Sequence, residues 1–150
     1  MGDFIFNVSK GILRHYAAQA GVGNAALIAL ALATSGLESD AVLMDKDTIA
    51  DVVAGTTNEV TNTNYTRKVI TSGVQITVDD TNNRVDLDFG DLSWPDIATG
   101  DSWAKIIIAY DPDTTAGTDA NLIPISAHDY VMTPDGSTLQ ATVNTFARAS

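Results

Sequence analysis

Val74-Gln75-Ile76-Thr77-Val78-Asp79, Asp80-Thr81-Asn82-Asn83 and Arg84-Val85-Asp86-Leu87-Asp88-Phe89 run consecutively and decide the fold. In the first and last of these segments, apolar residues alternate with polar ones, which is the period-two signature of a strand with one face on a core and the other in water. The four residues between them are turn formers, so the stretch reads as a β-hairpin. A sheet wetted on one face is the condition of an antiparallel sandwich or barrel.

Working outward, Tyr65 to Thr71 reads as a strand before the hairpin, and Gly90 to Gly100 as a loop in which Trp94 anchors to the body. Trp103 to Tyr110 follows as a strand, and its Ile106-Ile107-Ile108 run predicts burial on both faces and a central position. Asp111 to Ala120 is a turn-rich loop, Asn121 to Ser126 a strand broken by Pro124, and His128 to Thr133 another short strand. Pro134-Asp135-Gly136 makes a turn, because Pro presets the first corner and Gly tolerates the positive φ that closes it. Ser137 to Asn144 alternates as a last strand, and Thr145 to Ser150 is left as a C-terminal tail.

Toward the N-terminus, Phe4 to Tyr16 alternates loosely around Gly11, giving an extended N-terminal arm over residues 1–10 and then a strand. Ala25 to Ala33 is wholly apolar between Gly23 and Ser35-Gly36 and reads as a buried strand. One segment is helical in spacing: Ile49, Val52 and Val53 fall at i, i+3 and i+4 behind Asp47 as N-cap, with Gly55 as the stop. The expected architecture is a single domain over 1–150, mainly β. It is an antiparallel β-sandwich or barrel, jelly-roll-like, with one short helix.

Composition agrees. The 150 residues are 45% apolar and 18% charged, enough for one packed core. There are 17 Asp against 2 Glu, and 18 Thr, a stock that favours strands and turns over helices. The net charge of −11 argues against nucleic acid and anionic membrane as partners. Without cysteine there is no disulfide, thiolate nucleophile or zinc-cysteine site. The longest apolar run, nine residues from Ala25 to Ala33, is short of the roughly 20 that cross a bilayer. No export signal is read at the N-terminus, where Asp3 stands and no base comes early.

Chemistry-bearing motifs are sparse. Asp111 to Asp119 is rich in oxygen ligands, but counting from Asp111 puts Ala116 and Leu122 where a calcium loop needs Gly and a bidentate Glu. Asp79, Asp80, Asp86 and Asp88 crowd the polar face of the hairpin, to be offset by Arg84, a cation or a partner's basic surface. Ser126-Ala127-His128-Asp129 sets Ser, His and Asp side by side. A triad is assembled by tertiary geometry, however, and neighbouring strand residues point to opposite faces, so the run reads as coincidence. No catalytic or metal residues and no cofactor are expected. Phe4 and Phe6 near one end and Phe146 near the other either pack on the chain's own core or are held by a neighbouring subunit, which makes them the candidate partner contacts.

Three stretches carry a family likeness. Thr63-Asn64-Tyr65-Thr66-Arg67-Lys68 leading into the hairpin, Tyr110 to Asp119, and Phe146-Ala147-Arg148-Ala149-Ser150 resemble small virion structural proteins of tailed bacteriophages, a group that includes capsid decoration or cement proteins. The resemblance implies a β-rich protein without enzymatic residues, often trimeric, made in the host cytoplasm and bound to the major capsid protein on the outside of the head. Two alternatives stay open. One is a tail or head-to-tail connector subunit. The other is a free β-sandwich module for a ligand such as a glycan, with Trp94, Trp103 and Tyr130 as its platform. A hydrolase working through paired Asp residues ranks behind both.

Overall fold

The hairpin forms in the register its alternation sets. Strands β4 (Gln75–Asp79) and β5 (Arg84–Asp88) pair antiparallel with Ile76 opposite Leu87 and Val78 opposite Val85. The computed structural model describes residues 2–150. Before the hairpin lie β1 (Phe4–Ile5), a 3-10 turn (Asn7–Ser9), α1 (Leu13–Gln19), β2 (Ala26–Ala33), α2 (Asp40–Met44), α3 (Ile49–Val52) and β3 (Lys68–Ile70). After it come β6 (Leu92–Trp94), β7 (Trp103–Asp111), β8 (Ile123–Met132), β9 (Leu139–Ala141) and β10 (Ala147–Ala149).

Five strands form the main sheet in the order β1-β8-β7-β2-β3, every pair antiparallel. Because β1 and β3 stand at opposite ends, the sheet is open and no barrel closes. Two smaller sheets, β10-β5-β4 and β6-β9, share one core with its inner face, so the β layers form a sandwich. The other face is covered by α2, α3 and the N-terminal segment.

The apolar run of β2 explains this layering. Leu27, Ala29, Ala31 and Ala33 face the sandwich core, while Ala26, Ile28, Leu30 and Leu32 face the helical side. A strand buried on both faces has no polar positions to alternate, hence its unbroken hydrophobicity. The alanines on the sandwich side leave room for Trp94 and Trp103, both fully buried and edge-to-face at 5.2 Å. Each indole N–H has an acceptor: the Thr66 carbonyl at 2.9 Å for Trp94 and the Asn62 side-chain oxygen at 3.0 Å for Trp103.

Several local expectations are corrected. Helices number three among the described residues, not one. The segment read as a strand after the arm is largely α1, with Leu13, Tyr16, Ala17 and Ala20 against the sandwich core at i, i+3, i+4 and i+7. Gly21 ends that turn at φ +81°, where a Cβ would stand 2.0 Å from the Thr71 carbonyl oxygen, so only glycine fits. The cap of α3 is Thr48, not Asp47: its hydroxyl accepts from the Asp51 N–H at 3.1 Å while the Asp51 carboxylate accepts from the Thr48 N–H, a reciprocal capping box. The two strands expected around His128 are one, β8, because a register shift opposite Ile108 and Ala109 absorbs Pro124. The C-terminal tail is not loose: β10 pairs with β5, setting Ala147 opposite Leu87 and Ala149 opposite Val85.

Candidate functional site

The N-terminal arm is docked on its own body. Phe4 and Ile5 pair with Ala127 and Ser126, the Phe6 N–H donates to the Ile125 carbonyl at 2.9 Å, and the Ser9 hydroxyl donates to the Pro124 carbonyl at 2.7 Å. Phe6 has no exposed surface on the helical side, Phe4 is half-buried beside it with ring centroids 5.1 Å apart, and Phe146 is 2% exposed against Phe89 in the sandwich core. Of the three candidate partner contacts, Phe6 and Phe146 therefore spend their rings inside one protomer.

What fixes the arm was not foreseen. Lys105 is fully buried, and its ammonium donates to Asp129 Oδ1 at 2.5 Å and to the Gly2 carbonyl at 3.1 Å, lies 3.2 Å from Asp40 Oδ1, and sits 5.3 Å above the Phe4 ring. Two acceptors and a second carboxylate thus surround the ammonium, which is what makes a buried charge tolerable. The Gly2 N–H donates to the other oxygen of Asp40 at 3.0 Å. Burial opposes ionisation of Asp40, but the Gly2 N–H and Lys105 outweigh it and hold its carboxyl below the ordinary value. A single Lys inside the apolar run Trp103 to Ala109 was the signal in the sequence.

On the opposite face of β8, Ser126 and His128 stand two apart and point the same way. His128 Nε2 lies 2.9 Å from Ser126 Oγ, and Nδ1 lies 3.1 Å from Asp3 Oδ2, while Asp3 Oδ1 accepts the Asp129 N–H at 2.8 Å. The third member is thus Asp3 from the arm, not the adjacent Asp129. This Ser-His-Asp chain has the spacing of a nucleophile, base and orienting acid. Ser126 has no exposed surface, so a substrate carbonyl does not reach its Oγ in this arrangement; the chain works here as a polar clasp between arm and sheet. Burial opposes ionisation of Asp3, and the Asp129 N–H and His128 overcome it, leaving its carboxyl below the usual range.

Beside His128 a cleft of about 380 Å³ opens between the main sheet and the segment from Ala141 to Phe146. Its floor is apolar, with Ile106, Ile108, Leu92, Phe89 and Phe146. Asp3, His128 and Asp129 are also among its lining residues, the Asp129 carboxylate being turned to Lys105 on the other face of the sheet. Asp91 accepts the N–H of Val143, another wall residue, at 2.9 Å.

Other expectations resolve locally. On the hairpin face Arg84 lies 3.2 Å from both Asp79 and Asp86, and Arg148 donates to Asp86 at 2.5 Å, so two of the four crowded acids, Asp79 and Asp86, are offset from within. In the Asp111–Asp119 loop, Asp111 accepts the Asp113 N–H, Asp113 accepts from Thr115, and Asp119 is paired with Arg67 at 2.6 Å. Among the described residues no group of three or more His, Asp or Glu side chains is placed to hold a metal. Trp94 and Trp103 are fully buried and offer no stacking platform. Tyr130 is part-exposed, with its hydroxyl donating to the Gln140 carbonyl at 2.7 Å. No helix among the described residues is long and apolar enough to cross a membrane.

What the surface leaves free is strand edge. β3 ends the main sheet with Val69 58% exposed, and β4 ends the smaller sheet with Val78 60% exposed. No family model, curated protein or solved structure matches this chain.

Proposed function

We propose that the chain is a virion structural protein of the capsid-decoration class, attached to the major capsid protein on the outside of a tailed-phage head. The observation that carries this reading is that two of the strands at sheet ends, β3 and β4, each expose a valine. Each presents unpaired backbone groups and an exposed valine, and an exposed edge is a template for adding a strand from a partner. Folded proteins ordinarily cover or charge such edges. Neither Pro nor a bulge interrupts β3 or β4 here, and the charges they carry stand at one end of each, Lys68 on β3 and Asp79 on β4.

Charge supports the outer location. A chain at −11 is repelled by packaged DNA, whereas on the exterior the same charge keeps particles apart in solution. The resemblance of the Thr63–Lys68, Tyr110–Asp119 and Phe146–Ser150 stretches to phage virion proteins points the same way. Binding only the assembled shell stabilises it by mass action.

The test is the copy number of this chain beside the major capsid protein in purified virions, with imaging of particles that lack it. Hundreds of copies and complete but fragile heads support the proposal. A handful of copies, or tailless particles, moves the chain to the connector or tail, and its absence from virions overturns the reading.

A further inference from the structure

Lys is almost never fully buried unless it is paired, and the Lys105 side chain has no exposed surface. In the main sheet it stands between Leu32 of β2 and Asp129 of β8, its registered neighbours on either side. Its nitrogen lies 2.5 Å from Asp129 Oδ1 and is covered by the Phe4 ring at 5.3 Å. A second carboxylate faces the same nitrogen: Asp40 Oδ1, buried and with no hydrogen-bond partner among the described residues, is 3.2 Å away.

An amine, a carboxyl group and a further carboxylate, held together where water is scarce, are the reactants and the proton carrier of an amide condensation. In bulk water an ammonium and a carboxylate stay apart as solvated ions. Here the Asp129 carboxyl carbon is one C–O bond beyond the 2.5 Å contact, near the roughly 3–3.5 Å of a near-attack arrangement. Fixed positioning of this kind is worth an effective concentration of about 10⁵ M or more.

We propose that Lys105 and Asp129 condense into an isopeptide bond within the folded chain, with Asp40 carrying the protons. The Asp40 carboxylate takes a proton from the ammonium, and the freed lone pair on Nζ forms a bond to Asp129 Cγ. A second proton follows from the nitrogen through Asp40, and both end on the Asp129 oxygen whose bond to Cγ breaks. The ammonium thus gives up two hydrogens and the carboxylate one oxygen, which leave as one water. Nothing is oxidised or reduced, and no other reagent is needed. Asp129 is partly open to solvent, which gives that water a way out. Asp129 rather than Asp40 supplies the carbonyl, because it is the nearer and because the other Asp40 oxygen accepts the Gly2 N–H. The product removes the buried charge, and its one N–H still has the Asp40 carboxylate and the Gly2 carbonyl as acceptors. It ties β7 to β8 across 24 residues, in a chain that has no cysteine for a disulfide.

The test weighs the intact full-length chain by mass spectrometry, then digests it and sequences the fragments. The expected mass is one water below what the sequence requires, with a branched fragment joining Lys105 to Asp129 that survives denaturant and reductant. Asp129→Ala and Lys105→Met each lack one partner and should keep their full sequence masses. Asp40→Asn leaves a group of the same shape beside the amine and should slow bond formation about a hundredfold or more, as loss of proton-transfer catalysis does. Freshly made Asp40→Asn protein is then mostly at full mass. Fragment sequencing also separates the bond from an imide at Asp135-Gly136, which loses one water without making a branch. Where a variant fails to fold, the parent's own mass and fragments still decide. A parent at full mass, a branch to Asp40, or water lost with no branched fragment overturns the bond. Asp40→Asn protein that cross-links as fast as the parent overturns the role given to Asp40.

Discussion

Lys105 on β7 reaches Asp129 on β8 through the helical face of the main sheet, where the ammonium is fully buried and the carboxylate is 34% exposed. The two ends of this ion pair are therefore unequal. Truncating the acid leaves a charge inside the protein, whereas truncating the base leaves carboxylates that water can reach. Breaking a buried pair by removing one partner costs about 3–5 kcal/mol. Asp129→Ala should fall at the low end, because Asp40 and the Gly2 carbonyl still face the ammonium. Lys105→Met should cost clearly less. Urea unfolding of the two variants checks the order, and a Lys105→Met loss equal to or larger than that of Asp129→Ala would contradict it.

Because the arm is docked through Phe6, deleting it should destabilise the body. Phe6 fills the helical-side core, and Phe→Ala in a packed core costs about 3–5 kcal/mol. Removing residues 2–8 should therefore lower the melting temperature at least as far as Phe6→Ala alone. It should also raise hydrogen exchange at Ile125 to Asp129, whose partners leave with the arm. Unchanged exchange there would refute the docked arrangement.

How much of this was legible turns on particular residues. The β4–β5 hairpin and β2 announced themselves because alternation and unbroken apolarity are read directly from side-chain type. The helix at Leu13 to Gln19 was legible in its i, i+3, i+4 spacing but masked by Gly11 and by a first turn without a side-chain cap. Residues 145–150 carry too little apolar surface to betray a strand, since β10 is made by the edge that β5 offers. Asp3 and His128 meet across almost the whole chain, and no local pattern encodes such a pairing. The cleft is space between layers, so it belongs to no residue's own chemistry.

Asn62 joins three elements through one side chain. Its oxygen accepts the Trp103 indole N–H, and its nitrogen donates to the carbonyls of Ala98 and Asp101 at 3.0 and 3.1 Å. A buried group robbed of its partner costs about 1–3 kcal/mol. Asn62→Ala should cost about that much and loosen the packing of Trp103 against Tyr65, visible as a changed near-ultraviolet circular dichroism band. An unchanged band and midpoint would show the bond to be dispensable.

Stability should have both an acid and an alkaline limb. The hydrogen bond from Arg67 holds the Asp119 carboxyl below its ordinary 3.8, and Asp3 and Asp40 are lowered as well. A group lowered on folding adds stability that is fully present above its unfolded value and lost as pH falls through the folded one, so the acid limb lies below about pH 4. Burial raises the Tyr65 hydroxyl well above 10.0, with the Glu59 carboxylate adding to the effect. That contribution is fully present below pH 10 and lost above it. Absorbance of tyrosinate against pH should show one tyrosine ionising only as the chain unfolds, and Tyr65→Phe should remove that step.

Val69→Lys and Val78→Lys place a charge on each free edge without touching the core, since both side chains are more than half exposed. Melting should move little, within the ±0.5 kcal/mol usual for surface changes, while attachment to shells lacking the chain should drop. Cosedimentation with such shells is the measurement. Full attachment by the double variant would remove the edge strands from the proposed role.

The N-terminal strand makes the longest-range pairing of the sheets, Phe4 opposite Ala127, against Ala26 opposite Asp111 inside the main sheet. The β4–β5 turn closes over four residues, on a timescale of about 1–10 μs for an isolated hairpin, whereas pairings between distant parts of the chain bring β-rich domains down to milliseconds or seconds. The order expected from these separations is the hairpin first and the N-terminal end clasped last. Until that end docks, β8 presents a bare edge, and how many chains are lost to aggregation should be governed by crowding during that interval rather than by the strength of the finished fold.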